Sequence, residues 1–187
     1  MKPLKTKGPV EPGSICLKCG LCCDGSLFAD VKLQANDDVE LLASLGLQTA
    51  RPYNENTRKT RMPRTIRFLQ PCAAFDGCRC RIYSCRPEYC RKFECLLLKK
   101  LQKGEVSRAS AERLVGRARR KTTVVEQLLR ILGQTEAVGL ADRFRSVTKR
   151  LEGEAPDRKT AEIYSKLTVA FHELNLVLHE QFYPPPG

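Results

Sequence analysis

The sequence predicts a mainly α protein with little β: an irregular, cysteine-rich domain with one or two short strands, followed by a small helical bundle. Three observations carry that expectation. All ten cysteines lie between Cys16 and Cys95. From Glu105 onward there is no cysteine, and apolar residues recur at helical spacing. In the cysteine-rich part only two short runs alternate like strands. The 187 residues therefore divide into a basic lead-in over 1–14, a cysteine domain over 15–104 and a helical region over 105–187.

Pro3, Gly8, Pro12 and Gly13 mark the lead-in as flexible. Phe28 to Leu33 alternates and reads as a short strand. Asn36 is placed to cap a helix with Asp37 and Asp38 in its first turn, Val39, Leu41, Leu42 and Leu45 as its buried stripe and Gly46 as its stop. Residues 50–64 are polar, carry Pro52 and Pro63, and read as a loop. Thr65 to Leu69 reads as a second strand leading into Pro71-Cys72. Pro87 suits the first position of a helix and Glu88 its positive end. That helix is predicted to run through Cys90, Phe93, Cys95, Leu96 and Leu97 to Lys103, stopping at Gly104.

In the helical region, Ser107 is placed to cap a helix reaching Ile131 or Leu132. Its apolar positions are Leu114, Val125, Leu128, Leu129 and Leu132, and Gly133 ends it. A shorter helix is expected over Ala137 to Leu151. The last begins near Asp157, with Tyr164, Leu167, Phe171, Leu174 and Leu178 at 3-4-3-4 spacing, and Ile163, Ala170 and Val177 widening the stripe. The prolines after Tyr183 cannot continue it.

Thiols at this density are either crosslinked or bound to metal, and the compartment decides which. Met1 to Gly8 has the positive charge of a secretory signal but no apolar segment after it. No stretch approaches the roughly 18 apolar residues of a membrane span. The expectation is a cytoplasmic protein with no membrane partner, whose thiols stay reduced and bind a metal ion.

The net charge of +12 is split evenly, +6 up to Cys95 and +6 beyond it. Four thiolates around one divalent ion carry a net −2, so two such sites would bring +12 down to about +8. A basic surface then partly compensates a buried anionic cluster. The basic residues are dispersed and lack interleaved aromatics, which argues against direct nucleic-acid binding.

A Cys-x2-Cys spacing lets two thiolates reach one metal through a tight turn, and Gly20 supplies the freedom such turns use. Cys16, Cys19 and Cys22 reproduce the C-x2-C-x2-C opening of bacterial iron–sulfur loops, but Cys23 follows at once where three residues and Cys-Pro would be usual. Adjacent side chains diverge in extended chain, so Cys22 and Cys23 do not easily serve one tetrahedral ion. On a single helix Cys90 and Cys95 would stand about 140° apart. The ligands must be gathered from several segments.

The chain resembles a known family at these residues. Cys16-x2-Cys19-x2-Cys22-Cys23, then Pro71-Cys72, then Cys80 with Ile82-Tyr83, and Arg86-Pro87-x2-Cys90-Arg91 with Phe93 and Cys95, are similar to the YkgJ-type cysteine-cluster proteins. These carry a zinc- or iron-chelating domain that is also found in flagellin lysine N-methylases. The resemblance covers roughly residues 14 to 104 and leaves the helical region out. It implies eight metal ligands: Cys16, Cys19, Cys22, Cys23, Cys72, Cys80, Cys90 and Cys95. Cys78 and Cys85 are extra to the pattern and are expected not to be ligands. Arg86 and Arg91 flank cluster cysteines and are placed to neutralise thiolate charge, with Tyr83 packing or donating nearby. The bland alternative for each arginine is solvent or an ion pair with Glu88 or Glu94.

Both zinc and an iron–sulfur cluster accept four thiolates, so spacing alone does not separate them. The first expectation is an iron–sulfur cluster, of the 4Fe-4S kind, serving redox chemistry or, by analogy with the flagellin enzymes, methyl transfer. The second is a structural zinc module whose helices serve a protein or nucleic-acid partner. A carrier that hands its metal on is the third. His172 and His179, seven apart, lack the four-residue spacing of a metalloprotease pair and read as a helix flank. Arg113, Arg117, Arg119, Arg120 and Lys121 read as a solvated face.

Overall fold

The computed structural model describes residues 13–47, 49–50, 66–77 and 79–184. Residues 1–12, Gln48, 51–65, Cys78 and 185–187 lie outside them, and with them most of the expected lead-in and of the loop expected over 50–64. Among the described residues the order is α1 (Gly13–Cys19), β1 (Asp30–Lys32), α2 (Val39–Ser44), β2 (Thr49–Ala50), β3 (Arg67–Leu69), α3 (Glu88–Lys92), α4 (Leu96–Gln102), α5 (Arg108–Ile131), α6 (Leu140–Gly153) and α7 (Arg158–Gln181). A 3-10 turn spans Tyr83–Cys85. The expected class stands: mainly helical, with a small antiparallel sheet ordered β1-β3-β2.

The long helices follow their end signals. Ser107 caps α5, its hydroxyl accepting from Ser110 N at 3.2 Å, and Asp157 caps α7 by accepting from Thr160 N at 2.9 Å. Helix α5 buries Ala111, Val115, Ala118, Thr122, Val125 and Leu129, and α7 buries Leu167, Leu174, Val177 and Leu178. Arg150, at the end of α6, donates to Leu132 O at 2.7 Å, and its neighbour Thr148 receives the Tyr164 hydroxyl at 3.0 Å. The C-terminal end of α5 thus lies beside the early part of α7, and the two run antiparallel. Phe144 stacks on Phe171 at 4.2 Å to seat α6.

Other expectations change. Cys16 and Cys19 lie on a helix, α1, where a tight turn was expected. Helix α2 starts two residues later than Asn36 implies, because Asp38 caps it through Leu41 N at 2.8 Å. Of its predicted stripe only Leu42 is buried; Leu41 and Leu45 are exposed. A six-residue helix on a small sheet has one face to hide, and Leu42 fills it.

Two cores result. One joins Ile15, Leu21, Leu27 and the apolar face of α4 to α5, α6 and α7. The other, around Val31, Leu42, Phe68, Ala74 and Ile82, lies under the sheet. The cysteine segment is fastened to the bundle at several points. Arg119 donates to Lys18 O at 2.9 Å and to Gly77 O at 3.1 Å. Leu140 N donates to Gly25 O at 3.1 Å. Gly25 has φ +85°, and a Cβ on it would stand 3.1 Å from Gly139 Cα, so two backbones touch there.

Candidate metal centre

Helix α1 ends at Cys19, with Cys16 one turn back on the same side. Gly20, at φ +74°, then reverses the chain, and its carbonyl accepts from Cys23 N at 2.7 Å and Asp24 N at 3.0 Å. A Cβ there would overlap Cζ of the Phe75 ring, so the position suits only glycine. Inside this turn the neighbouring thiols separate. Cys22 packs against the helical core and Cys23 against the sheet core. Cys72 follows β3 and donates its N–H to Cys23 O at 2.7 Å. Cys80 bridges to Phe75, closing a short loop.

The single helix expected from Pro87 to Lys103 is two helices. Phe93 leaves α3 in extended conformation, and Cys95 caps α4, its Sγ accepting from Leu98 N at 3.4 Å. The thiol has replaced the usual Ser or Asp cap, which a helical reading of the sequence did not anticipate. Breaking there releases Cys95 from the face of α3 that carries Cys90.

Eight thiols, those of Cys16, Cys19, Cys22, Cys23, Cys72, Cys80, Cys90 and Cys95, line one cavity of about 170 Å³. Burial raises the pKa of each, and the further contributions sort them. Burial pushes Cys19 up to about 12, and Cys95 and Cys16 add to it. Burial holds Cys22 well above its ordinary value, with Cys19 the next cause and Cys23, Cys95 and Cys16 contributing. Cys16 is raised by burial and then by Cys95. Cys23 is raised by burial and then by Cys72, Cys80 and Cys90. Cys90 reaches about 12 through burial, then Cys72 and Cys80. The thiols therefore gather as Cys16, Cys19, Cys22 and Cys95 on one side and Cys23, Cys72, Cys80 and Cys90 on the other.

Backbone N–H groups already face several sulfurs: Leu21 at Cys19, Ala74 and Phe75 at Cys72, Ile82 at Cys80, and Leu97 and Leu98 at Cys95. Each favours the thiolate, as donors around a ligating sulfur do. Arg86 donates Nε to Tyr83 O at 3.0 Å and lays its guanidinium 3.6 Å from the Tyr83 ring centroid. Held in this way it favours the thiolates of Cys16, Cys80 and Cys90, and so acts on both groups. Arg91 lies at the cavity wall and is exposed. Glu88 pairs with Lys92 and Glu94 with Gln102, rather than with either arginine.

The wall includes groups that the sequence reading passed over. Gln70 is buried in it, and among the described residues its Oε1 finds no partner. Phe28 meets Tyr89 and Phe93 edge-on, with centroids 5.9 and 4.8 Å away. The four-residue spacing of Tyr89 and Phe93 signalled a shared helix face; nothing in the sequence marked Gln70. Cys85 is exposed in the 3-10 turn, away from the cavity lining.

No three His, Cys, Asp or Glu side chains among the described residues stand in positions to hold a metal ion. The thiols ring the cavity instead of closing on a point. Their chemistry fits the metals the family implies: soft donors, four to a group, with N–H donors and a cation to offset thiolate charge.

Among the described residues no helix is long and apolar enough to cross a membrane. No curated protein and no solved structure matches the chain. One family does, over residues 15–112, a span that contains every one of these thiols and ends in the first turns of α5. The chain belongs to that family, CxxCxxCC, described as a "putative zinc- or iron-chelating domain".

Proposed function

We propose that the chain holds two iron–sulfur clusters of the 4Fe-4S type, one bound by Cys16, Cys19, Cys22 and Cys95 and the other by Cys23, Cys72, Cys80 and Cys90. The observation that carries this reading is the four-and-four division of eight thiols around one open cavity. A single zinc draws its thiolates to about 2.3 Å, whereas the irons of a cluster stand apart and their ligands surround a volume. With a thiolate on every iron, such clusters would supply one-electron transfer.

The chain's own residues have separable parts in this. The N–H groups of Leu21, Ala74, Ile82 and Leu98 steady thiolate charge. Arg86, fixed on Tyr83, offsets charge on both groups. Phe28, Tyr89 and Phe93 keep water from one side. Redox transfer is the reading these features favour, and methyl transfer remains the analogy with the flagellin enzymes.

Anaerobic purification, followed by absorption, iron and acid-labile sulfide on one sample, tests it. Brown protein with a broad band near roughly 400 nm and iron matched by sulfide is expected. Colourless protein with two zincs per chain would replace it with the structural-zinc reading. That second reading draws on the cysteine half itself, where every helix is short and the sheet small, as in folds stapled by metal.

A further inference from the structure

We infer that the outer face of α5 and α7 is where two copies of this chain meet. The four most exposed large apolar side chains among the described residues are Ile131 at 64%, Val169 at 58%, Leu176 at 49% and Val124 at 46%. All four lie on these two helices. On the 3.6-residue period, Val124 and Ile131 stand about half a turn from the buried stripe of α5, and Val169 and Leu176 likewise on α7. The core occupies one side of the two-helix layer, so both outward stripes share the other.

The charges on this face are basic on α5, and on α7 they are acidic toward its C-terminal end, with Lys166 one step of seven before Glu173. Around the apolar residues of α5 stand Arg113, Arg117 and Arg120; around those of α7 stand Glu173 and Glu180. The Lys121–Glu173 ion pair, at 2.5 Å, sets the level of the two antiparallel helices. Counting outward at equal rise, Arg120 comes within one residue, about 1.5 Å, of the level of Glu173, Arg113 of that of Glu180 and Val124 of that of Val169. A two-fold axis running along the helices would lay α5 of one copy on α7 of the other at these same levels. It brings Arg113 to Glu180, Arg120 to Glu173 and Val124 to Val169, and closes a four-helix layer pair with both apolar stripes inside. Such self-complementarity of charged and apolar positions is what an isologous interface requires. A basic stripe for nucleic acid would not need carboxylates on the facing helix.

Sedimentation velocity on the full chain, loaded from about 1 to 100 µM, tests this. The expected result is a concentration-dependent shift from 21.1 kDa to twice that mass. Glu180→Arg and Arg113→Glu, each placing like charges opposite, should each weaken the dimer about tenfold or more, and the double substitution should restore it. Both sites are exposed, and an unchanged circular dichroism spectrum checks the fold. A wild-type chain still monomeric at about 100 µM overturns the inference. So does a double variant no better than the singles. Salt-sensitive capture of a single-stranded oligonucleotide by the monomer, lost in Arg113→Glu, would assign the face to nucleic acid instead.

Discussion

Cys22 and Cys23 are consecutive, yet Cys22 packs with the helical core and Cys23 with the sheet core. One peptide unit thus joins two groups of four thiols. The turn that makes this so is drawn tight by Gly20, whose carbonyl holds both Cys23 N and Asp24 N.

Two separate centres predict separable losses. Cys19→Ala should remove about half the bound metal and leave the second group loaded, and Cys72→Ala should do the converse. Cys85→Ser and Cys78→Ser should leave the content unchanged. Metal analysis on the four variants checks this; complete loss from either single alanine would indicate one shared centre.

Loading should release protons. Buried thiols held above 9 are protonated near neutral pH, and ligation requires thiolates. Titrating the metal-free, reduced protein with Zn²⁺ in weak buffer at pH 7 should release about eight protons per chain, and affinity should fall as pH is lowered. A raised folded-state pKa also means that the metal-free fold keeps this contribution below about pH 9 and loses it as pH climbs toward 12. Melting curves of the metal-free protein should show the decline. About four protons at saturation would count against eight ligands.

Gly20→Ala should destabilise the turn by about 1–2 kcal/mol from its left-handed backbone alone. The added methyl would also push Phe75 off the cavity wall. Lower metal content together with a lower melting temperature is the expected pair of readouts. A normal content would show that the turn tolerates the shift.

The bundle has its own test. Leu129→Ala or Leu174→Ala, at fully buried positions between α5 and α7, should cost about 2–5 kcal/mol. Leu41→Ala, exposed on α2, should stay within about 0.5 kcal/mol. Urea unfolding of the three variants makes the comparison.

The long helices were legible because their ends carry chemistry: Ser107 and Asp157 cap them, and Gly133 follows α5. The family was legible in the cysteine spacing. How the thiols divide was not, because it depends on where short elements break. The pattern from Pro87 to Lys103 is uniformly helical, and only a thiol acting as cap splits it at Cys95. Leu41 and Leu45 misled for a related reason: apolar spacing says which face a helix offers, while its neighbours decide how much of that face is covered.

The end of α7 reaches back to the thiols. Phe182 O accepts from Leu96 N at 3.1 Å, the Phe182 ring lines the cavity, and the Tyr183 hydroxyl donates to Leu27 O at 3.0 Å. Synthesis runs the other way. Every cysteine leaves the ribosome long before Phe182 does, so a growing chain exposes reactive sulfur with no wall to close over it. The pocket is therefore complete only once the last helix has been made and has docked.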